Sequence, residues 1–162
     1  MNFGGNVRYL LIATAISLAA VPSNLAAQAE QQVKYQRWGL FGGYKDKPAG
    51  PNSWKVLAGV NGMAPEGSAL KIALYRAAEL TKSAGFKYFQ IVNQKGKQSY
   101  VSLGGGSSRN SAGGDAELLI VAFNDPAATP TCLAENPQLC MTLEVEAAME
   151  RVRPFLRFPR RR

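Results

Sequence analysis

The rhythm of hydrophobic and polar positions changes several times along the chain, and each rhythm predicts an element. Trp54, Val56, Ala58 and Val60 alternate with Lys55 on the other side, which predicts a strand over 54–60 that Asn61-Gly62 ends. From Pro65 to about Ala84 the period lengthens. Leu70, Ala73, Leu74, Ala77, Leu80 and Ala84 form a stripe at three- and four-residue spacing, opposite Lys71, Glu79 and Lys82. Pro65 and Glu66 suit the first turn of a helix, and Gly85 suits a left-handed C-terminal cap. Phe86 to Asn93 is rich in aromatic and branched residues and predicts a strand. Lys95-Gly96 then predicts a turn, with Gln98 to Leu103 as the second arm of a hairpin. Gly104 to Gly114 is expected to be a loop, and the nearly unbroken apolar run Ala116 to Asn124 a central strand. Residues 125–139 contain Pro126, Pro130 and Pro137 and predict a loop. Met141, Val145, Ala148, Met149 and Val152 fit a second helix that Pro154 stops. Its start is ambiguous, because Met141, Leu143 and Val145 also alternate like a strand.

The expected order is β-α-β-β-β-α: an α+β layer with one mostly antiparallel sheet of about four strands and helices on a face. Residues 54–152 are expected to form that single domain. Residues 30–53, with Gly42-Gly43, Pro48, Gly50 and Pro51, read as an irregular lead-in that Trp38, Leu40 and Phe41 pin to the core. Residues 153–162 read as a basic tail carrying Phe155, Leu156 and Phe158.

The first 29 residues have a different character. Arg8 precedes 13 uncharged residues, Tyr9 to Val21, and Pro22 follows. Ala27-Gln28-Ala29 offers the small residues that signal peptidase reads, so cleavage is expected between Ala29 and Glu30. A spanning helix needs roughly 20 apolar residues, so no membrane helix is expected in the mature chain. The protein is expected to be periplasmic or secreted.

Charge sharpens the picture once it is located. The chain of 162 residues carries a formal net charge of +8. Residues 30–150 hold 12 basic and 11 acidic residues, whereas the last 12 residues hold six arginines: Arg151, Arg153, Arg157, Arg160, Arg161 and Arg162. A near-neutral body with a basic end points to an anionic surface rather than to nucleic acid. Anionic lipid, lipopolysaccharide or another envelope component are the expected partners.

Candidate chemistry is sparse. The chain has no histidine, which removes the commonest general base and metal ligand. Cys132 and Cys140 are the only cysteines, and an even count in an exported chain predicts a disulfide. The glycines of 104–114 lack the strand-to-helix setting and the lysine of a phosphate loop. Glu144, Glu146 and Glu150 read as solvated charge. Tyr75, Tyr88, Phe89 and Tyr100 read as packing rather than as a ligand groove. No catalytic residue, metal ligand or cofactor is assigned.

Residues 72–92 (IALYRAAELTKSAGFKYFQIV) carry a distinctive combination: Arg76 to Leu80, then Ala84-Gly85-Phe86, then Tyr88-Phe89. Together with Gly43-Tyr44-Lys45-Asp46 and Trp54-x-Val56, this resembles an uncharacterised family of small proteobacterial cell-envelope lipoproteins. The resemblance spans roughly residues 42–152. It implies an envelope location and the fold, and brings no activity with it. The chain differs from that family in having no lipid-accepting cysteine after the leader, in its cysteine pair and in its arginine tail. The expected function is that of a non-enzymatic binding or interaction protein of the envelope. The alternative is a periplasmic hydrolase that works without histidine.

Overall fold

The computed structural model describes residues 32–62, 64–101 and 110–160. The leader with its expected cleavage point at Ala29 and Glu30 lies outside these residues, as do Arg109, Arg161 and Arg162 and most of the glycine-rich stretch. Among the described residues seven strands and two helices follow one another as β1 (Val33–Lys34), β2 (Gly42–Gly50), β3 (Ser53–Val60), α1 (Ser68–Ser83), β4 (Tyr88–Val101), β5 (Asn110–Phe123), β6 (Thr142–Glu144), α2 (Val145–Val152) and β7 (Leu156–Arg157). Single 3-10 turns occupy Pro137–Leu139 and Arg153–Phe155. This is the expected α+β class.

The main sheet has five antiparallel strands in the order β2-β3-β5-β4-β6. β5 is central, as its apolar run requires. Its Ala116, Leu118, Ile120 and Ala122 alternate onto the buried face with Val56 and Ala58 of β3 and Phe89 and Ile91 of β4. α1 and α2 cover that face and touch each other. α1 presents Ile72, Ala73, Ala77 and Ala78, all 0% exposed. The expected leucine stripe lies to the side: Leu70, Leu74 and Leu80 are only half-buried, and Ala84 is exposed. Small alanines at the closest approach let the helix lie near the sheet, which leaves the bulkier leucines at its margins.

α1 ends where Gly85 predicts. Gly85 adopts φ +82°, its N–H donates to Lys82 O (3.0 Å) and the Phe86 N–H donates to Thr81 O (3.1 Å). These are the two bonds of a Schellman cap. The ambiguous region at 141–145 uses both of its patterns, first as strand β6 and then as helix α2.

Several expectations fail, among them the loop over 104–114, since β5 already begins at Asn110. The lead-in is not irregular, because 42–50 forms an edge strand along β3. Its glycines, Pro48, Lys45 and Lys47 hid it, yet these are residues that blunt an exposed edge. The hairpin expected around Lys95-Gly96 is one continuous strand, β4, paired with β5 along its length. Gly96 there serves close strand approach, since a Cβ would stand 2.9 Å from Asp115 O. The tail is not a free end. β7 pairs in parallel with β1, and Tyr35 N–H donates to Arg157 O (2.9 Å).

Cys132 and Cys140 stand at disulfide distance with Cα atoms 5.7 Å apart. Their loop is docked on β4 by Leu133 N–H, which donates to Val92 O (2.9 Å).

Candidate functional site

The tail is the one functional segment the sequence singles out, and its residues divide sharply. The chain leaves α2 at Val152, makes one 3-10 turn through Pro154, and becomes β7. Leu156 turns inward and is 3% exposed. Phe158 is half-buried against Tyr35 and Tyr75, with ring centroids 5.2 Å away in both cases. These two apolar side chains belong to the core and are not free to enter another phase. Arg151, Arg153, Arg157 and Arg160 are exposed, and among the described residues none of them forms a salt bridge. Phe155 is exposed, with the Lys71 ammonium 4.3 Å above its ring.

Beneath the tail lies the densest polar network of the described residues. Arg76 on α1 donates through Nε to Asp46 Oδ1 on β2 (2.8 Å) and through Nη1 to Glu79 Oε2 (3.1 Å). Tyr35 donates its hydroxyl to the same Glu79 oxygen. The Tyr44 ring stacks on Tyr35 at 4.7 Å and lies 5.0 Å from the Arg76 guanidinium carbon. Burial pushes the Tyr35 hydroxyl far above the usual tyrosine value, and the Glu79 carboxylate adds to that. Burial raises Tyr75 too, and again the Glu79 charge adds to it. The Arg76 guanidinium, although burial opposes its charge, is held firmly protonated by hydrogen bonds to Asp46 and Glu79. Every charge in this network faces an opposite charge or a hydroxyl donor. Its geometry is that of a clasp between α1, β2 and the N-terminal segment.

The remaining candidates do not converge. Glu144, Glu146 and Glu150 are all exposed, and Glu146 is engaged with Lys82 of α1 (2.6 Å). Phe89 and Tyr75 are core, while Tyr88 stacks against Phe123 at 6.0 Å. The Tyr100 side chain lies outside the described residues. A groove of about 380 Å3 runs between the start of α1 and the β4–β5 arm, with Ser68, Lys95 and Lys97 in its lining. Among the described residues no hydrogen bond joins Ser68 to either lysine. No group of three His, Cys, Asp or Glu residues is placed to hold a metal ion there or elsewhere among the described residues.

One feature of the surface runs against expectation. Trp38, Leu40 and Phe41 do not pin the lead-in to the core. Leu40 is 98% exposed, Phe41 72% and Trp38 48%. Leu40 and Phe41 are the tip of a tight hairpin closed by two 3.1 Å bonds between Gly39 and Gly42. The flanking glycines were the available signal. Gly42 has φ +92°, and a Cβ there would stand 2.2 Å from Gly59 O.

Among the described residues no helix is long and apolar enough to cross a membrane. Comparison with models of protein families, with curated proteins and with solved structures finds no match.

Proposed function

We propose that the mature protein is an exported, non-enzymatic cell-envelope protein that lies on an anionic membrane surface and holds it through the arginines of its C-terminal segment. The observation that carries this reading is how that segment is held. β7 and the rings around Phe158 fasten its apolar residues to the body, so Arg151, Arg157 and Arg160 stand exposed on a folded support, while the Arg153 guanidinium lies 5.8 Å from the Phe158 ring centroid. Charges on a folded support lose less side-chain and backbone freedom on binding than charges on a free end. Each basic residue near such a surface contributes about 1 kcal/mol at low ionic strength. An envelope location is supported by the leader-like first 29 residues, by the cysteine pair at disulfide distance and by the resemblance of residues 72–92 to envelope lipoproteins. In that comparison the arginines would do what a lipid anchor does for the family.

The test is cosedimentation of the mature chain with vesicles of phosphatidylcholine alone or mixed equally with phosphatidylglycerol. Binding to the anionic vesicles that weakens with salt, and that falls in R157Q/R160Q/R161Q/R162Q, is the expected result. Equal sedimentation of the two proteins would refute the role of the arginines.

A further inference from the structure

We infer that the hairpin Gly39–Gly42, carrying Trp38, Leu40 and Phe41, is a membrane-inserting knuckle that seats in the headgroup region of an anionic phospholipid bilayer. The inference rests on the reading of the arginine segment above and adds an apolar contact to it.

Turn positions ordinarily go to Gly, Asn, Asp, Ser or Pro, whose backbone preferences or local side-chain hydrogen bonds suit a turn. Here the two tip residues are Leu and Phe, and they are the two most exposed large hydrophobic residues described. The turn is built to present them. Gly43 lies so close to the preceding segment that a Cβ would stand 2.6 Å from the carbonyl oxygens of Gln36 and Arg37. Trp38 leans against Gly59 of β3, where a Cβ would meet its ring at 2.6 Å. The base of the knuckle is therefore fixed to the sheet while its tip stands free.

The shape and charge select the partner. A protein interface buries about 800 Å2 per partner, which calls for a broad face or a groove. A convex two-residue tip offers neither, but it fits a soft apolar phase. Trp38 stands behind the tip at the level where an indole favours the bilayer interface. The surrounding cations are Arg37, next to Trp38, and Lys45, whose ammonium lies 4.8 Å from the Trp38 ring centroid. Asp115 is the one carboxylate lining the hollow beside the tip. The parallel pairing of β1 with β7 sends the chain after Arg157 in the same direction as the chain after Lys34, with Phe158 beside Tyr35. Arg157 thus pairs with Lys34, in the strand that leads toward the knuckle.

The chain has two tryptophans, so W54F leaves Trp38 as the sole reporter. With anionic vesicles its emission should move to shorter wavelength. L40S/F41S should abolish that shift and weaken binding about tenfold or more, because even partial burial of a Leu and a Phe exceeds the ~1.4 kcal/mol that a factor of ten represents. Its melting temperature should match that of the parent, since both side chains are exposed. Quenching of the unmodified chain by brominated lipid, lost in L40S/F41S, reads the same insertion if W54F does not fold. Salt-sensitive binding that leaves Trp38 in water and is indifferent to L40S/F41S would overturn the knuckle and leave the arginine reading standing. No binding to anionic vesicles by the unmodified chain would overturn both. A dimer that L40S/F41S dissociates would overturn the knuckle by assigning the tip to a second copy of the chain.

Discussion

Tyr35, in the segment before β2, donates its hydroxyl to the Glu79 carboxylate on α1, 44 positions away in sequence. The bond closes a chain that runs Asp46–Arg76–Glu79–Tyr35 and ties the N-terminal segment, the edge strand and the main helix together. The ring of Tyr35 also meets Tyr44, Tyr75 and Phe158. One residue therefore joins the polar clasp to the seat of the C-terminal segment.

A prediction for alkaline pH follows from this bond. Tyr35 is raised above its ordinary value, so it is protonated in the folded state at pH values where the unfolded chain would ionise it. The stabilisation is fully present below the unfolded value and is lost as pH rises toward the folded one. Between about pH 10 and pH 11.5 the Tyr35 contribution should fall by up to about 1.4 kcal/mol per pH unit. Denaturant titrations at several alkaline pH values should show a steeper decline in the parent than in Tyr35→Phe. Parallel declines would mean that Tyr35 ionises freely in the folded protein.

Arg76 is the cation that two carboxylates share, and its side chain is only 18% exposed. Arg76→Ala leaves Asp46 and Glu79 facing each other across a half-buried space. The expected cost is roughly 1–3 kcal/mol, because unpaired polar groups retain their desolvation penalty. Asp46→Asn should cost less, since Arg76 keeps Glu79. Equal costs in urea unfolding would show that the pairing with Glu79 contributes nothing.

Gly85 isolates a conformational effect. A Cβ at this position would meet nothing within 4 Å, so a substitution there causes no clash. The cost comes from φ +82° alone. Gly85→Ala should destabilise by about 1–2 kcal/mol and Gly85→Val by more, since a branched side chain tolerates the left-handed region poorly. Gly85→Asn should recover part of the loss. Thermal melts of the three variants in that order would support the Schellman cap, and identical melts would contradict it.

What could be read from the sequence was local. α1, the buried half of β3, the central β5 and the cap at Gly85 each announce themselves by a period or a single residue type. The Arg76–Glu79 pair was readable too, because three residues apart on a helix means adjacent. The partners from elsewhere were not. Asp46 and Tyr35 reach Arg76 and Glu79 only after the edge strand and the N-terminal segment have docked. β2 is hidden in the sequence because an edge strand is protected by the lysines and proline that also mark a loop. Leu40 and Phe41 stand outside although apolar type alone favours burial. The glycines on either side, which mark a tight turn, are what point the pair outward. In the tail the charge drew attention to the arginines, while the structural weight lies on the apolar residues between them.

That division gives the last prediction. Leu156 is 3% exposed and β7 holds β1 in place, while the arginines beside it are exposed. Leu156→Ala should cost about 2–5 kcal/mol, the range for emptying a buried leucine site. A chain ending at Val152 should lose more, because it also removes Phe158 from the rings of Tyr35 and Tyr75. The charge variants Arg157→Gln and Arg160→Gln should stay within about 0.5 kcal/mol of the parent, as surface changes do. Urea unfolding of the four proteins separates the two roles. A truncated chain as stable as the parent would mean that β7 is not part of the fold. A large loss in Arg157→Gln would mean that the guanidinium stabilises the fold and is not held free for a partner.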